Sequence, residues 1–440
     1  MHFHRSGQKR HRLAQGLVVL LGLTFAACAP ATAIARPDSL YSDSTLSLAW
    51  VERTALARNP SLSAMREAWR EARAHAAQAG ALADPMLDVM LAPQSLGSAS
   101  AEPAYRVEIT QPLPILGQRG LRRSAARGDA DVAAYDFESA RLDLLRDVRE
   151  AYFDYFRVCR SQDTNRELVA LMGESRRVAL ARYSSGTVGQ TDPLMAETEL
   201  AMLEHASVVL QQQRRLTLAR LRALLHLPQT TSLPEPPRIL PMPEAPDTAQ
   251  WIDVRRRANW PELAAADAAV KARRADLALA RRERLPELGL AAAYDRFMSE
   301  PPLRTSVGVS LNLPIQFGRL AAAERGAKAA LAKVEAQRLA VRDRIEQRIE
   351  EASASLGLSL HDVEIMRDAV VPASERSMKA IRAAYESNRA DFLTLLNATR
   401  DLARARLALY EAQVSANQAQ AELRRALATD STSPVEEDRR

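Results

Sequence analysis

Thr305-Ser306-Val307-Gly308-Val309-Ser310-Leu311-Asn312-Leu313-Pro314-Ile315-Gln316-Phe317-Gly318 holds the two signals that decide the fold. Val307, Val309, Leu311 and Leu313 alternate with Ser306, Gly308, Ser310 and Asn312, the period of a strand with one apolar and one polar face. Pro314 then punctuates the chain, and an Ala- and Arg-rich stretch at helical spacing begins at about Arg319. The same order occurs about 200 residues earlier, where Gln111-Pro112-Leu113-Pro114-Ile115-Leu116-Gly117 also leads into a long helical run.

Two further pairs repeat at that spacing. Arg58-Asn59-Pro60-Ser61-Leu62 matches Asn259-Trp260-Pro261-Glu262-Leu263 in kind, and Tyr183-Ser184-Ser185-Gly186 matches Tyr385-Glu386-Ser387-Asn388. One internal duplication explains all three. The first repeat is read as 36–226 and the second as 251–428, with a Pro-rich connector at 227–250 and a polar tail at 429–440. Each repeat runs short helix, two strands, long helical hairpin.

The strands are expected at about Met86–Ala92, Tyr105–Leu113, Leu288–Tyr294 and Thr305–Leu313. Tyr105, Val107 and Ile109 against Arg106, Glu108 and Thr110 repeat the alternation. An apolar face opposed to a polar one suits a membrane barrel, lipid outside and water inside. Four strands cannot close such a barrel, because the smallest have about eight and an open edge in lipid leaves backbone donors unsatisfied. Several copies must therefore pool strands, and three copies of four make 12. Met86 and Met90 share one strand face; thioethers suit Cu(I), but the spacing reads as lipid-facing or packing residues rather than ligands.

From Arg119 to about Arg182 there is no proline and, beyond Gly120 at its start, there are only two glycines, Gly128 and Gly173, with Leu142, Leu145, Val148, Tyr152 and Phe156 at helical spacing. At about 1.5 Å per residue that run approaches about 100 Å, longer than a compact domain requires. After the turn at Gly186 and Gly189, Asp192 is expected as the N-cap and Pro193 as the first residue of a return helix reaching about Leu225. The second hairpin runs out from Arg319 to Ala384, with Pro372 as a kink or break, and back from Asp391 to Ala428. Interleaved charges beside Ala and Leu stripes suit laterally packed antiparallel coiled coils.

Composition agrees. The 440 residues are weighted toward Ala, Leu, Arg and Glu with only 16 Gly, which means mostly long helix. Arg5, Lys9, Arg10 and Arg12, an apolar stretch from Leu17 to Ala27 and small residues up to Ala35 form a secretory signal peptide, too short in its apolar core to span a bilayer. Two cleavage readings stand. Ala33-Ile34-Ala35 is an ordinary A-x-A site ending the signal at 35, and Phe25-Ala26-Ala27-Cys28 resembles a lipoprotein box that ends it at 27 and lipidates Cys28. Without those four basic residues the formal charge falls from +6 to +2, so the basic balance argues no nucleic-acid partner. Cys159 reads as a small packing residue.

No catalytic, metal or cofactor site is expected. His75, His205, His226 and His361 are scattered, and there is no H-E-x-x-H, G-x-S-x-G, P-loop or G-x-G-x-x-G arrangement.

The layout resembles the TolC-like outer-membrane efflux factors over essentially the whole mature chain. Tyr183-Ser-Ser-Gly186-Thr-Val-Gly-Gln-Thr-Asp192-Pro-Leu194 is similar to that family's hairpin tip, and Tyr385 to Leu396 is a second copy. Ala81-Leu-Ala-Asp-Pro-Met86 and Gln111-Pro-Leu-Pro-Ile-Leu-Gly-Gln-Arg119 resemble the heavy-metal, CzcC/CusC-like branch. The resemblance implies a mainly α fold with a small β part. It implies a homotrimer whose 12-stranded barrel in outer-membrane lipid continues as a long periplasmic α-helical barrel. It also implies a passive channel served by a periplasmic adaptor (membrane fusion protein) and an inner-membrane efflux pump of the RND type.

The tips, Tyr183, Gly186 and Asn388, would meet the adaptor; Gly and Asn suit positive φ there. The periplasmic aperture would involve Tyr385, Asp391, Thr394 and Asn397. Thr394 and Asn397 stand where the family commonly has acids, so a simple carboxylate ring is not expected. Asp391 is read as a helix N-cap, and Tyr385 either as a hydrogen-bonding gate residue or as a packing contact near the turn. The alternative is a soluble periplasmic coiled-coil scaffold or adaptor, in which the four alternating segments are not membrane strands.

Overall fold

A computed structural model describes residues 45–95, 102–114, 117–243 and 260–430. The expected signal peptide, Cys28 and most of the polar tail lie outside these residues. Helices α1 (Leu48–Arg58) and α2 (Pro60–Ala79) open the first repeat. Ser47 caps α1 through Trp50 N–H, and Asn59 caps α2 through the N–H groups of Ser61 and Leu62, with Pro60 at the first helical position. Strands β1 (Met86–Leu91) and β2 (Tyr105–Leu113) follow, then α3 (Gln118–Ser184) and α4 (Thr191–Leu224). The second repeat gives α5 (Pro261–Arg282), β3 (Glu287–Asp295), β4 (Thr305–Asn312), α6 (Phe317–Ile365), α7 (Val371–Glu386) and α8 (Phe392–Ala426). Each strand lies within about a residue of its expected bounds.

The four strands form one antiparallel sheet in the order β1-β2-β3-β4, leaving β1 and β4 as edges. The register aligns faces across the whole sheet. Leu87 lies opposite Ile109, Ile109 opposite Ala292 and Ala292 opposite Val307, while Val89, Val107 and Tyr294 form the next row. One face is therefore Leu, Val, Ile, Tyr and Ala, broken by Thr305 at the start of β4 and by Gln111, whose amide donates to the Ala83 carbonyl at 2.9 Å. The other face carries Asp88, Arg106, Glu108, Thr110, Asp295, Ser306, Gly308, Ser310 and Asn312.

This corrects the reading of Met86 and Met90. They pair with Thr110 and Arg106, so they lie on the polar face rather than the lipid-type face. None of the described residues covers the apolar face: Val307 is 82% exposed.

Helix α3 is the spine, packing along α2, α4, α5 and α8. Its middle carries the largest buried cluster, with Phe137, Val148, Tyr152, Phe153, Tyr155, Phe156 and Cys159 against α1, the end of α4 and Leu227, Leu233 and Leu240 of the connector. Cys159 is buried there as expected, and burial, the largest influence, pushes its thiol up to about 11.

The duplication is visible in hydrogen bonds. Asn59 Nδ2 donates to Leu224 O and Trp260 Nε1 to Ala426 O, both at 3.0 Å, so each repeat ties its pre-proline residue to the end of its return helix. Those helices end alike, with His226 and Ala428 at φ 50° and 51° and six-to-one bonds from Leu227 to Arg222 and from Thr429 to Arg424.

Pro372 does not break its arm. A five-residue π segment, Met366–Val370, joins α6 to α7, and its wider turn makes room where the proline ring would meet the Asp368 carbonyl.

Candidate functional site

The tips of the two hairpins come together. At each, the chain reverses through a left-handed residue, Gly186 at φ 73° and Asn388 at φ 62°. Thr187 N–H returns to Arg182 O in one tip and Arg389 N–H to Ala384 O in the other, the Schellman closure that satisfies the last helical carbonyls. Both residues expected at positive φ are found there.

The return helices start differently. Asp391 caps α8, accepting from Thr394 N–H at 3.0 Å, and this hydrogen bonding with Thr394 holds its carboxyl below the usual range. Asp192 is not the N-cap of α4. Gln190 takes that position, leaving Asp192 second and Pro193 third in the helix. The Asp192 carboxylate instead accepts from the Tyr385 hydroxyl at 3.5 Å, a long contact across the two tips.

Tyr385 is buried and meets Phe392 edge to face at 5.7 Å, so its ring packs while its hydroxyl points to Asp192. Burial raises its pKa, the Asp192 charge adds to this, and the Arg182 charge opposes it. Arg182, which sequence reasoning missed, lies 4.6 Å from the Tyr385 ring centroid, donates to Tyr385 O at 2.8 Å and reaches the Asn388 side chain. The signal available in the sequence was only an arginine one residue before the tip tyrosine. Thr394 and Asn397 are exposed on α8, while Leu395, Leu396 and Ala398 beside them are buried.

Further from the tips, carboxylates of the first hairpin meet guanidiniums of the second. Glu199 pairs with Arg400, Arg406 Nη1 lies 2.9 Å from Glu167, and Arg382 Nη2 lies 3.1 Å from Glu174. The two exposed pairs, Arg406–Glu167 and Arg382–Glu174, are worth only about 0–1 kcal/mol each, while the Glu199 carboxylate is buried against Arg400. Beneath these pairs, Leu168, Leu171, Met378 and Leu402 floor a groove of about 460 Å³ between α3, α7 and α8.

Among the described residues no group of three or more His, Cys, Asp or Glu side chains is placed to hold a metal ion, and no helix is long and apolar enough to cross a membrane.

Comparison with known proteins gives the family described as "Outer membrane efflux protein", matched over residues 51–226 and again over 254–429. The cobalt-zinc-cadmium resistance protein CzcC of Cupriavidus metallidurans is 24% identical over 308 residues, covering 67% of this chain and 70% of that one. It belongs to the heavy-metal branch expected from the sequence. Among solved structures, the outer-membrane channel OprN superposes with a TM-score of 0.75 at 19% identity, covering 86% of this chain and 89% of that one. CusC gives 0.74 at 15%, covering 89% and 93%. With four strands, two hairpins and the family match falling once on each repeat, the chain belongs to the outer membrane efflux protein family, a channel protein of the outer membrane whose helices extend into the periplasm.

Proposed function

We propose that three copies assemble into one passive duct, with a 12-stranded barrel above and a helical tunnel below, and that the duct catalyses no reaction. One observation carries this reading: a four-stranded sheet with a polar face, an apolar face and two edges, of which no described residue covers the apolar face or pairs the edges. In water such a sheet exposes apolar area and open edges; in lipid the edges must pair, and β4 of one copy supplies the antiparallel partner for β1 of the next. Tyr105 and Tyr294, 6.1 Å apart on the apolar face at the outer strand ends, suit an aromatic girdle. A soluble scaffold has no use for this face.

Tyr385, Asp391, Thr394 and Asn397 belong in this reading to the periplasmic aperture. Arg182 and Asp192 latch the second hairpin against the first. Tyr183, Gly186 and Asn388 present the tips to a periplasmic adaptor, and an inner-membrane pump of the RND type supplies the energy. The likeness to CzcC makes heavy-metal cations the favoured cargo.

The test is the mass of the detergent-extracted protein together with planar-bilayer conductance of the wild type, Arg182→Ala and Asn397→Ala. A trimer with small, cation-dependent conductance that rises several-fold in Arg182→Ala is the expected result. A water-soluble monomer without conductance, or intrinsic ATPase activity, would overturn the reading. Cargo is tested separately: cells lacking the protein should become sensitive to cobalt, zinc or cadmium.

A further inference from the structure

The two long arms differ in length by one residue. Gly117 and Tyr183 stand 66 positions apart, Gly318 and Tyr385 67. In an unbroken α-helix one extra residue turns everything beyond it by about 100°. Tyr385 would then leave the face that meets Arg182, Asp192 and Phe392.

The phase is nevertheless recovered, because the two tips close with the same turn and the return helices end with the same bonds. The π segment is where this happens. Val371 N–H bonds to Met366 O, a bond spanning five residues, and a π turn of this kind holds one residue more than an α turn.

The segment also lies where the arm is least anchored. Between Val363, which packs on Ala412 and Ala416, and Met378 in the tip cluster, no side chain of the arm is buried in the single chain. The neighbouring stretch of α3 keeps Thr164, Asn165 and Met172 buried. Pro372 removes one further backbone donor.

We infer that Met366–Pro372 is a hinge made by a one-residue insertion. It keeps Tyr385 in phase for the closed contacts and lets α7 swing when those contacts break. The inference deepens the gate reading above and rests on it for its purpose, though not for its mechanics.

Two measurements test it. In hydrogen exchange on the purified wild type, the amides of Val370, Val371, Ala373 and Ser374 should exchange about tenfold or more faster than those of Leu168 to Leu171. Equal protection overturns the hinge. The second is deletion of Ala369, alone and combined with Arg182→Ala. The deletion should restore a continuous α-helix with the tip in place, assemble as the parent does, melt no lower, and cut the raised conductance of Arg182→Ala several-fold. Failure to assemble shows that the residue is not an in-phase surplus, and undiminished conductance shows that the segment does not bend in opening; either result overturns the proposal. If Arg182→Ala itself leaves conductance unchanged, the gate reading fails and hydrogen exchange alone decides the hinge.

Discussion

The two hairpins share one plan but are anchored differently. At the 201-residue offset between Gly117 and Gly318, Tyr152, Phe153, Tyr155 and Phe156 of α3 correspond to Ser353, Ala354, Leu356 and Gly357 of α6. The first arm thus carries four aromatic rings into the main core, where Tyr152 donates to Leu46 O at 3.0 Å and Phe156 meets Tyr410 edge to face at 6.4 Å. The second arm has one buried leucine and three small residues there, and a π turn further on. In the reading proposed above, duplication supplied two similar arms, and divergence fixed one as a wall and left the other able to bend.

The largest expected effect breaks that comparison most directly. Phe156→Ala should destabilise by about 3–5 kcal/mol, since the ring is fully buried and its neighbours cannot collapse onto the cavity. Leu356→Ala in the second arm should fall near the low end of the range for its type, about 2 kcal/mol. Denaturant unfolding of the detergent-solubilised protein measures both. Equal losses would mean that the arms are anchored equally, and the contrast drawn from the aromatic residues would fail.

A smaller effect comes from acid. Glu262 of the second repeat accepts from Arg348 Nη1 at 2.9 Å and Arg425 Nη2 at 2.7 Å, where the first repeat has neutral Ser61. Burial pushes the Glu262 carboxyl up, but the hydrogen bonds and charges of the two arginines together outweigh it and hold the pKa below its ordinary value. A carboxylate lowered in the folded state adds stability above its unfolded pKa and loses it as pH falls through the folded one. Acid below the usual carboxylate range should therefore loosen the second repeat before the first, read as earlier loss of amide protection in α5 and α6 than in α2. Glu262→Gln should remove that difference, and a difference that persists would assign it to other groups.

Strands and arms were legible because each has one dominant period. Alternation over Thr305–Leu313 and Tyr105–Leu113 has few competing readings, and an uninterrupted helical period over Arg119–Arg182 leaves nowhere for the chain to turn. Landmarks such as Gly186 and Asn388 were legible because few residue types tolerate positive φ. The rest depended on partners. Asp192-Pro193 has the local form of a helix start, yet the tertiary contact with Tyr385 holds the aspartate inside the helix. Met86 and Met90 resemble lipid-facing residues until the register pairs them with Thr110 and Arg106. Arg182 is one arginine among many in the sequence, and only the approach of the second tip gives it a task. The family resemblance supplied the assembly; no residue pattern within one chain counts the copies.

The smallest expected effect distinguishes the two tips. Both Gly186 and Asn388 sit in the left-handed region, but the two substitutions act on different terms. Gly186→Ala introduces a Cβ at φ 73° and should cost about 1 kcal/mol from backbone strain alone, because a Cβ there meets no atom within 4 Å. Asn388→Gly relieves such strain but removes the side-chain oxygen that Arg182 reaches, and it adds backbone freedom to the unfolded chain. These opposing changes should leave stability within about 0.5 kcal/mol of the parent, while conductance rises as it does in Arg182→Ala, though less. The paired outcome, a stability loss at the first tip and a conductance change at the second, is what a fixed wall and a moving gate require. If Gly186→Ala opened the channel and Asn388→Gly did not, the roles assigned to the hairpins would have to be exchanged.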